Sequence, residues 1–208
     1  MKFKNIIFDW SGVVKDAIEC HLWIVNRMFK KFGVREISME ELKENWVQPH
    51  MPFYNKYLPN LTEKQEIEIY KQVILSKECP KSKDYPGISK LIKRLKNEGC
   101  FIGIISTDFP DTIMPEIKKY GLENIFDEVI TMSDDKIISL KNMLEKFELN
   151  PEETCFIGDS NHEIIAGKAT GVKTIAVTWG FNKEEYLKSK NPDYLVHNIE
   201  ELENILLS

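Results

Sequence analysis

Short apolar runs, each closing on a polar residue and each separated from the next by a stretch of helical spacing, constrain this chain more than any other feature. Asn5–Phe8, Phe101–Ile105, Glu128–Ile130 and residues 154–157 and 174–177 read as strands, with Tyr194–Val196 as a further strand at an edge. Between them, Ile88–Asn97 and residues 112–120, 136–147 and 163–170 carry helical patterns. Gly99, Gly121 and Gly171 follow three of these, where a helix ends in a left-handed residue. Strands that alternate with helices imply parallel strands with crossover helices. The expected fold is a three-layer, doubly wound α/β sheet.

One stretch breaks the alternation. Residues 16–83 contain no convincing strand. Ile18, Leu22, Val25, Met28, Phe29 and Phe32 recur at helical spacing, and Ser38-Met39-Glu40-Glu41 and Thr62-Glu63-Lys64-Gln65 both match a capping box. Pro49, Pro52 and Pro59 break the middle, and residues 80–87 read as a return linker. Residues 1–15 and 84–208 are therefore expected to form one core, with 16–83 as a helical insertion. Trp46, His50, Phe53, Tyr54 and Tyr57 lie within it, as interior packing or as contacts to a ligand.

The first strand runs straight into Asp9-Trp10-Ser11-Gly12. This places a carboxylate at the carboxyl end of a buried strand, where open α/β sheets build their sites. The second strand ends in the hydroxyls of Ser106 and Thr107, Lys136 opens a helical segment, and another strand ends in Gly158-Asp159 with Glu163 beyond it. An acid, a hydroxyl, a lysine and paired acids, in that order, resemble the haloacid dehalogenase-like hydrolase superfamily over nearly the whole chain. Residues 166–180 and 191–196 look like the corresponding segments of its phosphoglycolate-phosphatase-like members, whose helical insertion is a cap over the catalytic pocket.

The resemblance implies roles. Asp9 would be the nucleophile, forming an aspartyl-phosphate. Asp9, Asp159 and the backbone carbonyl of Ser11 would hold one Mg²⁺, a hard cation suited to few carboxylates and several waters. Ser106 or Thr107 would bind a phosphoryl oxygen. Lys136 would neutralise charge, its segment Lys136-Ile137-Ile138-Ser139-Leu140 resembling a Lys-Gly-x-Ala-Leu pattern, with Lys141 as competitor. Glu163 would act from behind, orienting water or Lys136, or would serve only as an acid in a helix's first turn.

Ser11 departs from the pattern. Most phosphatases of the superfamily carry a second Asp there, which protonates the leaving oxygen and then activates water. Losing a general acid–base typically costs about 10²–10⁴-fold in rate. Three accounts remain open: a leaving group needing little protonation, another donor such as His21, His162 or a residue of the insertion, or slow or absent turnover. Asp-x-Ser-Gly also resembles a subfamily acting on phospholysine, phosphohistidine and pyrophosphate. Asp9-Trp10-Ser11-Gly12 is similar to the Asp-Trp-Ala-Gly of phosphonoacetaldehyde hydrolases, where Lys43 or Lys56 would have to supply the Schiff base.

The expectation is a Mg²⁺-dependent phosphatase acting on a small phosphorylated metabolite. The alternatives are a phosphonatase- or dehalogenase-like hydrolase, and a non-catalytic phosphate-binding or interaction protein on the same fold. A net charge of −5 argues against a broad nucleic-acid-binding face. No apolar run approaches the about 18 residues of a membrane span, and the N-terminus lacks a signal-peptide pattern. Cys20, Cys79, Cys100 and Cys155 have no metal-like spacing and read as reduced thiols. A cytoplasmic monomer or homodimer is expected.

Overall fold

The computed structural model describes residues 2–208. In chain order its regular elements are β1 (Asn5–Phe8), β2 (Lys15–Asp16), α1 (Ile18–Lys31), α2 (Met39–Asn45), α3 (Met51–Tyr57), α4 (Glu63–Ile74), β3 (Lys83–Asp84), α5 (Ile88–Asn97), β4 (Phe101–Ile105), α6 (Pro110–Lys119), β5 (Glu128–Ile130), α7 (Lys136–Lys146), β6 (Thr154–Gly158), α8 (Asn161–Thr170), β7 (Lys173–Val177), α9 (Glu184–Ser189), β8 (Tyr194–Val196) and α10 (Ile199–Leu207). A 3₁₀ turn at Pro151–Glu153 leads into β6.

Six strands form one parallel sheet in the order β5-β4-β1-β6-β7-β8. Every residue of β1 is buried, as a central parallel strand covered on both faces requires. Ile6, Phe8, Ile102, Ile104, Cys155 and Ile157 point to one face, where they pack with residues of α5, α6 and α10. Ile7, Ile105 and Phe156 point to the other, against Leu140 and Met143 of α7 and Ala166 of α8. The period-two alternation of side chains thus yields the expected three layers. From β1 the chain builds outward through β4 and β5, then returns to the opposite side of β1 with β6. The carboxyl ends of β1 and β6 therefore flank a topological switch point, where such sheets bind ligands.

The helical spacings mark real elements, with ends shifted by one or two residues. α6 starts at Pro110 because proline suits the first helical turn, and α8 starts at Asn161 because Ser160 caps it. Two differences concern residues 16–83. Their ends carry two-residue strands, β2 and β3, paired antiparallel. The pairing ties Lys15 and Asp16 to Asp84 and Lys83 where the chain leaves and re-enters the sheet region. Such a pair is too short to read from two residues of sequence. The capping box at Thr62 is complete, whereas only half of the one at Ser38 forms. Ser38 Oγ accepts from Glu41 N–H, but the Glu41 carboxylate is held by Arg35 and Tyr57 instead.

Helices α1 to α4 gather their own apolar cluster around Ile24, Met28, Phe29, Leu42, Phe53 and Tyr54, joined by Phe181 from the loop after β7. The Cys20 and Cys79 thiols approach to 3.3 Å without a bridge. No helix among the described residues is long and apolar enough to cross a membrane.

Candidate active site

Asp9 follows β1 directly. Its N–H donates to Ile157 O at 2.9 Å, so it keeps the sheet register while its side chain turns toward β6. The next residue fixes the turn. Trp10 is fully buried, stacks on Tyr120 at 5.7 Å and donates Nε1–H to Glu116 Oε2 at 2.8 Å. Gly12 then takes φ +89°, open to glycine at little cost. A Cβ at Gly12 would also lie 2.2 Å from Asp159 Oδ2, so the second acid is pressed against this loop.

Asp159 follows β6 and accepts Phe181 N–H at 2.6 Å. Gly158 before it cannot bear a side chain, because a Cβ there would meet Glu163 Cγ at 2.1 Å. Glu163 is reached through the start of α8. Its Oε2 accepts from Ser160 N–H at 3.0 Å and from Ser160 Oγ–H at 2.8 Å, while Ser160 Oγ accepts from His162 N–H. Its other oxygen accepts a hydrogen bond from Lys136 Nζ. The glutamate therefore caps its helix and holds the lysine at once.

Lys136 opens α7, is buried, and spans from Glu163 to Asp9 Oδ1 at 2.9 Å. Lys141 is exposed and faces Glu145, so Lys136 is the one that reaches Asp9. Asp9, Asp159 and Glu163 each offer a ligand atom, all within 4.8 Å of one another.

Burial pushes the Asp9 carboxyl up to about 7. The charge of Lys136 opposes that shift and the charge of Glu163 adds to it. Asp159 is raised too, by burial and by the charges of Asp9 and Glu163. Burial alone would depress Lys136, but Asp9 and Glu163 outweigh it and hold it above its usual value. Burial likewise works to raise Glu163, which Lys136 and Ser160 hold below the usual carboxylate range. One lysine, bonded to Asp9 and Glu163, stands against three buried carboxylates. A cation with oxygen preference would offset the remaining repulsion, and the Asp9 and Asp159 carboxylates are hard donors of the type Mg²⁺ takes.

The other sequence candidates sit at different depths. Thr107 is exposed and lines the cavity above Asp9 and Asp159. Ser106 is buried at the end of β4, its Oγ accepting from Asp108 N–H at 3.1 Å. Ser11 lines the cavity, and its Oγ–H donates to Asp108 Oδ2 at 2.6 Å. Asp108 lines the cavity as well and was not among the sequence candidates. The parallel register, with Phe8 beside Ile104, brings the loops after β1 and β4 side by side. Counting three residues past each strand end would have found the pair.

His21 and His162 line the same cavity. His21 is buried, its Nδ1 is 3.1 Å from Tyr70 Oη, and burial with the His50 and Lys15 charges pushes it down to about 3. Burial also lowers His162. The carboxylate of Asp108, rather than either imidazole, is the group bonded to Ser11. Of the aromatic candidates, Trp46, His50 and Tyr54 line the cavity, whereas Phe53 and Tyr57 pack on Phe29.

A family model described as haloacid dehalogenase-like hydrolase matches residues 6–177. The chain is 26% identical to the pyrophosphatase PpaX of Bacillus mycoides, over 99% of this chain and 98% of that protein. It is 25% identical to the pyrophosphatase PpaX of Oceanobacillus iheyensis, with the same coverage. Among solved structures, a predicted phosphatase from Clostridium acetobutylicum superposes with a TM-score of 0.87 at 21% identity, covering 100% of this chain and 99% of the other. A predicted phosphoglycolate phosphatase from Haemophilus somnus gives 0.84 at 18% identity, covering 99% and 98%.

Proposed function

The chain belongs to the haloacid dehalogenase-like hydrolase family, and from that premise we propose that it is a Mg²⁺-dependent phosphatase of a small phosphorylated molecule, working through an aspartyl-phosphate on Asp9. The observation that carries this reading is Lys136 Nζ, 2.9 Å from Asp9 Oδ1 and bonded to Glu163, with Asp159 in the same cluster. Hydrolysis of a carbon–halogen bond needs no such second acid. Relatives named pyrophosphatase agree with phosphoryl transfer.

Mg²⁺ held by the carboxylates of Asp9 and Asp159 and by the Ser11 carbonyl would supply the charge that lets one anion attack another. An Asp9 carboxylate oxygen attacks phosphorus and the bond to the leaving oxygen breaks. That oxygen takes a proton from Asp108, directly or through the Ser11 hydroxyl. Lys136 balances the Asp9 charge and holds its side chain toward the phosphoryl group. The Thr107 hydroxyl donates to a phosphoryl oxygen. Water then gives its proton back to Asp108 by the same path and attacks phosphorus, releasing phosphate and restoring Asp9. The Ser11–Asp108 pair would thereby take the place of the missing second aspartate. Residues 16–83 would act as a cap, with the β2–β3 ribbon as its hinge, and would exclude water during transfer.

The test is a screen of phosphate esters and pyrophosphate with Mg²⁺ and with EDTA. Hydrolysis that needs Mg²⁺ is the expected result. Full activity in chelator would refute the metal-assisted reading, and no hydrolysis of any phosphate would refute the phosphatase reading.

A further inference from the structure

The cavity above Asp9 and Asp159 occupies about 210 Å³. This is below the roughly 300–1,000 Å³ of drug-sized sites and suits a single ring on a short arm. Away from the acids its walls are apolar and aromatic: Ile24, Trp46, Tyr70, Ile74 and Phe181. The His21 ring meets Trp46 at 4.4 Å and Phe181 at 5.3 Å, both edge to face. Such surfaces hold flat rings well.

His21 Nε2, on a cavity-lining side chain that is 6% exposed, has no hydrogen-bond partner within the protein. Buried polar atoms are almost always paired, so an orphan on a cavity wall marks a place where a ligand completes the set.

The charges point the same way. Lys15 is the one lysine or arginine in the lining, and it is buried against Glu116 at 2.8 Å. The acidic residues Glu63, Glu66, Asp108 and Asp134 also line the cavity. Glu66 is matched by His50 at 3.2 Å, and the others leave the surroundings acidic. A second phosphate or a carboxylate on the substrate would enter without a free cation to receive it, which is costly in a desolvated site.

We infer that the leaving group is an uncharged alcohol carrying one flat ring and at least one hydrogen-bonding group, and that it is neither a second phosphate nor a carboxylate. This rests on the phosphatase reading and narrows it.

The experiment compares kcat/KM of the Mg²⁺-loaded protein on four substrates. They are 2-(4-hydroxyphenyl)ethyl phosphate, 2-phenylethyl phosphate, phosphoglycolate and inorganic pyrophosphate. The three esters all release a primary alkoxide, so leaving-group chemistry does not decide among them. Both ring esters should exceed phosphoglycolate and pyrophosphate by at least about tenfold, and the hydroxyl-bearing ring should exceed the bare one. His21→Phe should narrow that second gap. Ile67→Lys places a cation on a half-exposed residue of the cavity wall and should raise phosphoglycolate relative to the ring esters. Wild-type preference for phosphoglycolate or pyrophosphate would overturn the inference while leaving the phosphatase reading intact. Hydrolysis of none of the four, nor of p-nitrophenyl phosphate, would overturn the phosphatase reading and this inference with it.

Discussion

The cavity has a floor and a wall, and they are built by different means. The floor is the carboxyl edge of the sheet, where Lys136 is bonded to Asp9 and Glu163, the acids of Asp9, Asp159 and Glu163 lie within 4.8 Å of one another, and all four are nearly dry. Its geometry comes from the backbone: strand ends, a helix start, and glycines where two chains press together. The wall is largely the inner side of helices α1 to α4, where Trp46, Tyr54 and Tyr70 are placed by packing against one another and against Phe181. A site built by strand ends can keep its chemistry while its wall changes. The proposed division of labour follows, with bond-making on the floor and choice of substrate on the wall.

Mutations can break or sharpen that contrast. The largest effect is expected on the floor at Lys136. Lys136→Met should lower kcat on an aryl phosphate by about 10²–10³-fold. It should also destabilise the protein by roughly 3–5 kcal/mol, because two buried carboxylates lose their shared cation. Stopped-flow kinetics and urea melts would read the two losses. A variant with near-normal kcat would show that the lysine is only structural.

Next comes the pair at the rim. Asp108→Asn should cost about 10²-fold or more on alkyl phosphates and much less on aryl phosphates, which leave with less protonation. Ser11→Asp in the Asp108→Asn background should recover part of the alkyl activity. Equal losses on both substrate classes would deny Asp108 a part in proton transfer.

A wall substitution should act differently. Trp46→Ala should raise KM by about tenfold for a ring-bearing ester while leaving kcat on p-nitrophenyl phosphate within a few-fold. Equal loss of kcat on both substrates would join wall and floor into one unit.

The smallest effect concerns stability and pH. Asp9 titrates near 7 in the metal-free protein, above its unfolded value, because burial penalises its charge. The folded state then binds more protons than the unfolded state across that interval. This contribution to stability is full at low pH and is lost as pH rises through about 7. Asp159 is raised as well and acts in the same direction. In EDTA, Asp159→Asn should raise the melting temperature above pH 7 by about 2–4 °C for each ~1 kcal/mol relieved. Mg²⁺ should stabilise the wild type more than the variant. A melting temperature for the variant below the wild type's in EDTA would contradict the stored repulsion.

The contrast also explains what the sequence disclosed. Strands, their order of occurrence and the floor residues were legible, because a buried strand needs an unbroken apolar run and its end is marked by the first polar residue. Asp9 and Asp159 stand at such ends, and Lys136 opens a helix whose apolar spacing was visible. Glu163 was visible as an acid in a first helical turn, but its simultaneous hold on Ser160 and Lys136 depends on how α7 and α8 pack. Asp108 lay hidden because its partner Ser11 is 97 residues away, and only the pairing of β1 with β4 joins them. Trp46 and Tyr54 face the cavity while Phe53 faces away, and helical spacing without the packing of α1 to α4 does not separate those cases.

Asp9 is the residue proposed to take the phosphoryl group. Wild type and Asp9→Asn should be mixed with an aryl phosphate and Mg²⁺, quenched in acid during turnover, and peptide-mapped by mass spectrometry. The expected result is a phosphoryl group on the Asp9 peptide of the wild type, and neither adduct nor turnover above about 10⁻³ of wild type in the variant. A phosphoryl group on any other residue, or sustained turnover by Asp9→Asn, would contradict it.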